Sequence, residues 1–251
     1  MEEQLFKNKD RIVELGEVFT PKETVIQMLN LPGVKEQTEL LTSTFLEPSA
    51  GEGAFLTELL QRKMRVAFKK SSTLEEYEDN ILVGLSTLYG IELMEDNVEM
   101  LVMQMNTIFQ QNYQEGIKSF NGTVNDKVIK SAMVIIQANM AQGNALTKLD
   151  SSGKHLMFSE WKLLPKQEGS RQQVQRTEFK FEDIIAGETE PSDISPVGGF
   201  EVVEEISLFD FLDDEEDQKE LAIQLEEEVK KVYLPVPIVD VYQKILRVEG
   251  H

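Results

Sequence analysis

The chain has 251 residues, a net charge of −20 and a hydrophobic content of 41%. That is enough apolar material for a real core, in one large domain or one domain with appendages. It contains no cysteine and two histidines, His155 and His251, which excludes disulfides, a cysteine nucleophile and a thiolate metal site, and argues against a histidine-based one. No apolar run approaches membrane-spanning length and the first ten residues carry no signal-peptide pattern, so a cytoplasmic protein without a membrane partner is expected.

Residues 1–15 read as a short charged lead-in. Gly16-Glu17-Val18-Phe19-Thr20-Pro21 then precedes a predicted helix in which Val25, Ile26, Met28 and Leu29 form an apolar stripe. Thr20 suits an N-cap and Pro21 the first helical position. Phe45-Leu46-Glu47-Pro48-Ser49-Ala50-Gly51-Glu52-Gly53-Ala54-Phe55-Leu56 reads as strand, tight turn and helix. Glycines at such a turn let a bulky ligand approach the backbone, and the helix N-terminus offers free N–H groups. Glu47 ends the strand, where open α/β sheets bind ligands.

A helix is predicted over residues 54–70, with Leu56, Leu59, Leu60 and Met64 at core spacing. Residues 71–80 form a polar connection or short helix, and residues 81–89 lead in as a helix. A second strand ends near Glu92, followed by a helix over about residues 96–112. A carboxylate at that position can accept both hydroxyls of a ribose. Asn121-Gly122 marks a turn. Residues 134–137 fit a third strand or a piece of helix. Gly143-Asn144-Ala145-Leu146 follows. Residues 156–163 and 174–184 alternate on either side of a polar loop, the pattern of a β-hairpin. The single tryptophan, Trp161, reads as a packing residue. Residues 187–199 have linker composition, residues 201–228 are strongly acidic, residues 215–232 read as a charged helix, and a short helix is expected over 239–248.

The turn E-P-S-A-G-E-G-A-F-L resembles the S-adenosylmethionine motif of adenine-N6 DNA methyltransferases of restriction–modification type. G-E-V-F-T-P resembles that family's N-terminal cofactor motif and Y-G-I-E-L its second one. The resemblance spans residues 11–185. It implies a Rossmann-like methyltransferase core, and S-adenosylmethionine as cofactor. The cofactor would be held by Phe19, Thr20, Glu47, Pro48, Ala50, Gly51, Gly53, Phe55 and Glu92, with Asn144 and Ala145 at the adenine ring. Asn144 stands where many relatives carry Asp, and its amide oxygen keeps the needed acceptor.

The family's catalytic signature, [DNS]-P-P-[YFW], is missing. Adenine N6 is a poor nucleophile, and the family holds the flipped base with an Asp or Asn side chain, a proline carbonyl and a stacked aromatic ring. The chain has no Pro-Pro pair, and none of Pro165, Pro191, Pro196, Pro235 and Pro237 lies between an acid or amide and an aromatic. Ser159-Glu160-Trp161 is the nearest substitute. No catalytic residue is therefore assigned, and strands four to seven are not evident.

The expected fold is an α/β, Rossmann-like core with an incomplete sheet, helices on both faces and an appended β-hairpin. This domain occupies residues 1–185. A linker and an acidic, partly helical segment, residues 186–251, lie outside it. Phe19, Leu46, Phe55, Leu59, Ile91 and Leu93 are expected to be buried. Three functions stay open: a methyltransferase-like subunit or regulator that binds cofactor but lacks the chemistry, an active methyltransferase with a divergent catalytic loop, or an acidic interaction protein that imitates DNA charge. DNA is an expected partner, directly or through a second subunit, and the incomplete sheet favours a protein partner or self-association. The acidity opposes direct duplex binding. Arg62, Lys63, Arg65, Lys69, Lys70, Lys162, Lys166, Arg171, Arg176 and Lys180 form locally basic stretches that are either phosphate contacts or solvated faces.

Overall fold

A computed structural model of the protein describes residues 20–186 and 231–248. Among the described residues two helices, α1 (Lys22–Leu29) and α2 (Val34–Thr38), precede the first strand, β1 (Phe45–Glu47). Two further strands follow, β2 (Leu88–Glu92) and β3 (Met140–Gln142). The three strands form a parallel sheet in the order β1-β2-β3, with Glu47 opposite Gly90 and Glu92 opposite Gln142. Parallel neighbours require long crossovers. Here α3 (Ala54–Lys70) and α4 (Leu74–Leu85) join β1 to β2, and α5 (Glu95–Ser119) and α6 (Asp126–Asn139) join β2 to β3. The protein is thus mixed α/β.

Helix α3 buries Leu56, Leu59, Leu60, Met64 and Ala67 at helical spacing and ends on Lys69 and Lys70, where cations complement the helix dipole. Thr73 caps α4 by accepting from Glu76 N at 3.2 Å, and Asn125 caps α6 by accepting from Lys127 N at 3.2 Å. Helix α1 starts one residue later than expected. Its N-cap is Pro21, and no side chain caps it. Residues 134–137 belong to α6, and the third strand is the short segment after it.

The two faces of the sheet are covered differently. Leu88 joins the main core with Leu56, Leu60, Ile135 and Ile136, on the side of the helices. Tyr89 and Ile91 alternate to the other side, where Ile91 packs with Leu156, Phe158 and Phe181. The covering there is the predicted hairpin, β4 (Met157–Leu163) and β5 (Gln173–Lys180), but residues 181–184, expected to extend its second strand, belong instead to the short helix α7 (Phe181–Ala186). Leu46 pairs with Tyr89 and so shares this second face, yet it is 43% exposed. The hairpin covers β2 and β3 but not β1, which corrects the expectation of a buried Leu46 between two helical layers. Leu93 is 52% exposed because it lies just past the end of β2. Phe55 is half-buried, while Leu59 and Ile91 are buried as expected.

Polar anchors fix the hairpin. Arg171 donates from Nε to Asp79 Oδ1 at 2.8 Å and from both Nη atoms to Glu78 Oε2 at 3.0 Å. Lys166 Nζ and Gln172 N reach Asp79 Oδ2 at 3.2 and 2.8 Å, and Tyr113 Oη donates to Glu78 Oε1 at 2.6 Å. Tyr89 Oη donates to the Ser159 carbonyl at 2.8 Å. Trp161 Nε1 donates to Asn139 Oδ1 at 3.0 Å, and Asn139 Nδ2 in turn bonds the carbonyls of Ser86 and Leu88. Trp161 is therefore a packing residue with its one donor satisfied.

The chain returns to the domain near its end. Strand β6 (Lys231–Tyr233) pairs with β8 (Leu246–Val248), and β7 (Val236–Pro237) adds to β5. A 3-10 turn over Ile238–Gln243 replaces the expected terminal helix. Ile238, Val239 and Val241 are buried in the main core, Ser131 Oγ donates to the Val239 carbonyl at 2.7 Å, and Lys127 pairs with Asp240 at 2.8 Å. Residues 236–241 are thus part of the domain rather than of a segment outside it. Their apolar side chains were masked in sequence by the flanking prolines. The lead-in, the linker and the acidic stretch lie outside the described residues.

Candidate functional site

The carboxyl ends of the three strands meet at one cluster of hydrogen bonds. The turn after β1 crosses to β2 through Ala50 N, which donates to the Ile91 carbonyl at 2.9 Å, and Gly51 N, which donates to Glu92 Oε2 at 2.8 Å. Glu92 Oε1 accepts from Met94 N at 3.0 Å and from Asn97 Nδ2 at 3.2 Å. On the far side, Gly143 N donates to the Glu92 carbonyl at 2.9 Å. Glu92 is 7% exposed and binds the three strand ends together. Asn97 is the residue that sequence reasoning missed. Its only signal is an amide in the first turn of the helix after the carboxylate.

The two glycines of the turn serve different needs. Gly53 has φ 97°, and a Cβ there would lie 2.5 Å from Leu101 Cδ1, so its bareness lets the turn press against α5. Gly51 has φ 53°, and a Cβ there would meet nothing within 4 Å. It faces open space at the strand ends. Gly53 is also the N-cap of α3, so the cap position supplies no side-chain acceptor, and no acid lies in the first turn. Such a helix start is receptive to a polar or anionic group. Glu47 accepts from Ser49 N at 3.3 Å, and its burial raises the carboxyl above the ordinary range.

Asn144 sits beside this cluster, but its side chain is engaged. Oδ1 accepts from Leu146 N at 2.8 Å and Thr147 N at 3.3 Å, closing its own turn. Both lone pairs of the amide oxygen are then in use. Ala145 packs against the Ile91 cluster. Pro48 is exposed, and Thr20 is half-buried and joins none of these hydrogen bonds among the described residues. Phe19 lies outside them.

Ser159-Glu160-Trp161 does not form an open site. Ser159 is buried and accepts from Arg176 Nε at 3.0 Å, Trp161 is buried, and Glu160 points to the exposed face. The basic stretches are largely structural. Lys63 is 1% exposed and donates to the carbonyls of Leu40, Leu41 and Ser43. Arg62 bonds Glu58 and the Leu29 carbonyl, Arg171 and Lys166 serve the hairpin, and Arg176 pairs with Glu178 at 2.8 Å. Lys69, Lys70 and Lys162 are exposed, and Arg65, 3.5 Å from Glu58, is largely so. Among the described residues no group of acids and histidines could hold a metal ion, and no helix is long and apolar enough to cross a membrane. Comparison with protein-family models, with curated proteins and with solved structures returned no match.

Proposed function

We propose that this protein binds S-adenosylmethionine at the strand ends and acts as a catalytically incomplete relative of the adenine-N6 DNA methyltransferases, a subunit or regulator in DNA modification. One observation carries the reading: a buried strand-end carboxylate, Glu92, held against the N–H of a glycine that faces open space. The arrangement fits the chemistry of the cofactor. Glu92 Oε2 accepts one N–H and retains lone-pair capacity for the hydroxyls of a ribose. The bare Gly51 admits the ligand to the backbone, and the uncapped start of α3 faces its polar end. Asn144 is engaged throughout by its own loop, Oδ1 with Leu146 N and Thr147 N, N–H with the Leu149 carbonyl and C=O with Lys148 N, so the backbone N–H of Ala145 and the wall near it are left to hold the adenine ring. The cofactor supplies an activated methyl group. The chain offers no counterpart to the family's proline-rich catalytic loop, and β1 and β3 are both edge strands of the described parallel sheet. A partner subunit would bring the catalytic loop and the DNA contacts.

Calorimetric titration of the intact protein with S-adenosylmethionine tests this. Binding is expected, with loss in Glu92→Ala and Gly51→Val variants whose folding is verified by circular dichroism. Failure of the intact, folded protein to bind overturns the reading. Transfer of labelled methyl groups to adenine-containing DNA by the protein alone would overturn the catalytic incompleteness and leave the cofactor site standing.

A further inference from the structure

A second concavity lies beside the strand ends, on the flank of α5. Glu95, Val98, Glu99 and Val102 follow one another on one helical face, and with Met103 they form one wall. Gln137, from the last turn of α6, and Met140 and Gln142 of β3 form the other. The groove is a wide-open surface hollow of about 460 Å³.

Its chemistry is that of a protein-docking groove. Its apolar part is Val98 and Val102, both half-buried, Met140, which is buried, and Met103, which is 53% exposed, with Gln137 and Gln142 beside them on the second wall. An exposed methionine is an adaptable contact surface, because its unbranched thioether repacks around different partners. The rim is acidic. Glu95 and Glu99 are exposed one turn apart, and neither has a salt bridge or side-chain hydrogen bond among the described residues. Among the described residues no lysine or arginine lines the groove. The carboxylates of Glu58, Glu78 and Glu178 are, by contrast, all committed to internal cations.

We infer that this groove docks a cationic amphipathic helix of a partner protein, with apolar side chains against Met103 and Val102 and lysines or arginines against Glu95 and Glu99. Charge complementarity selects the occupant: the exposed carboxylates of Glu95 and Glu99 at the rim attract a basic segment and fix where it seats. An acidic helix or a nucleic acid is repelled. None of the lining residues belongs to the proposed cofactor site, so the inference stands independently of that reading.

The test uses the full chain and a short fluorescein-labelled peptide with leucines on one helical face and lysines elsewhere, followed by fluorescence anisotropy at fixed salt. A scrambled peptide of identical composition, with its leucines spread around the helix, is the control. The expected result is binding of the amphipathic peptide that is at least about tenfold tighter than that of the scrambled one. The deciding variant is Met103→Glu. It removes the apolar contact while adding negative charge, so docking in the groove predicts about tenfold weaker binding. Charge attraction to the chain as a whole predicts equal or tighter binding. Glu99→Lys should also weaken binding. Both positions are exposed, so thermal melting should show both variants folded as the parent. Absence of binding, equal affinity for the scrambled peptide, or unchanged binding by Met103→Glu would each overturn the inference.

Discussion

The two faces of the parallel sheet are held by different physics. On the helical face, Leu56, Leu60, Leu88, Ile135 and Ile136 are completely buried, and stability comes from non-directional apolar burial. On the hairpin face the apolar cluster is small, built on Ile91, Leu156, Phe158 and Phe181. The hairpin also places Trp161 and Val174 in the main core, and directional groups fix its position there: Arg171 on Glu78 and Asp79, Tyr89 on Ser159, and Trp161 on Asn139. Apolar burial makes a layer stable, whereas a few buried polar pairs decide where a layer sits.

The largest test of this contrast is Arg171→Ala. It strands two carboxylates that are 3% and 2% exposed, with Lys166 the one cation left beside them among the described residues. Removing one side of a buried pair should destabilise the protein by about 3–5 kcal/mol in a denaturant titration. A loss of only a few tenths would mean the hairpin is held by its apolar cluster instead.

A second test reads pH. Burial lowers the Lys63 amine from 10.5 to about 8. Between those values the unfolded chain holds a proton that the folded protein has released, so stability should rise with pH across that window. The gain should be a few kcal/mol at most, and Lys63→Met should flatten it. Above about pH 10 the trend reverses. Burial pushes the hydroxyls of Tyr77, Tyr89, Tyr113 and Tyr233 upward, so the unfolded chain ionises first. Urea melts at a series of pH values check both limbs.

Tyr89→Phe removes one hairpin anchor and leaves the Ser159 carbonyl without that donor, for an expected loss of about 1 kcal/mol. The smallest effect belongs to Leu46→Ser. A fully covered second face would make that substitution severe. With Leu46 outside the hairpin's reach, thermal melting should show a change within about 0.5 kcal/mol. A severe loss would show that something covers β1.

What was legible in the sequence follows the same division. Helix α3 and the hairpin were readable because each carries its own period, and the glycine turn because Gly51 and Gly53 mark positive φ. Helix α6 was ambiguous, since Val134-Ile135-Ile136 fits a buried strand or a buried helix equally. Strand β3, only Met140-Ala141-Gln142, has no strand propensity of its own and exists because β2 offers it a partner. The anchors of the hairpin were invisible: Asp79 and Arg171 are 92 residues apart, and no local pattern pairs them. At the site, Glu92 was readable as a strand-end acid. The engagement of Asn144 with its own turn depends on loop geometry that composition does not carry.

The return of residues 236–241 has a consequence for how the molecule is made. Ser131 and Val239 bond across 108 residues, and Ile238 and Val241 fill the core beneath α6. During synthesis, then, the three parallel strands and their helices leave the ribosome with one side of the core still open. Closure waits until about residue 241 has emerged. Such long-range completion slows folding and lengthens the exposure of apolar surface. A nascent chain stalled before that point would keep this apolar surface exposed.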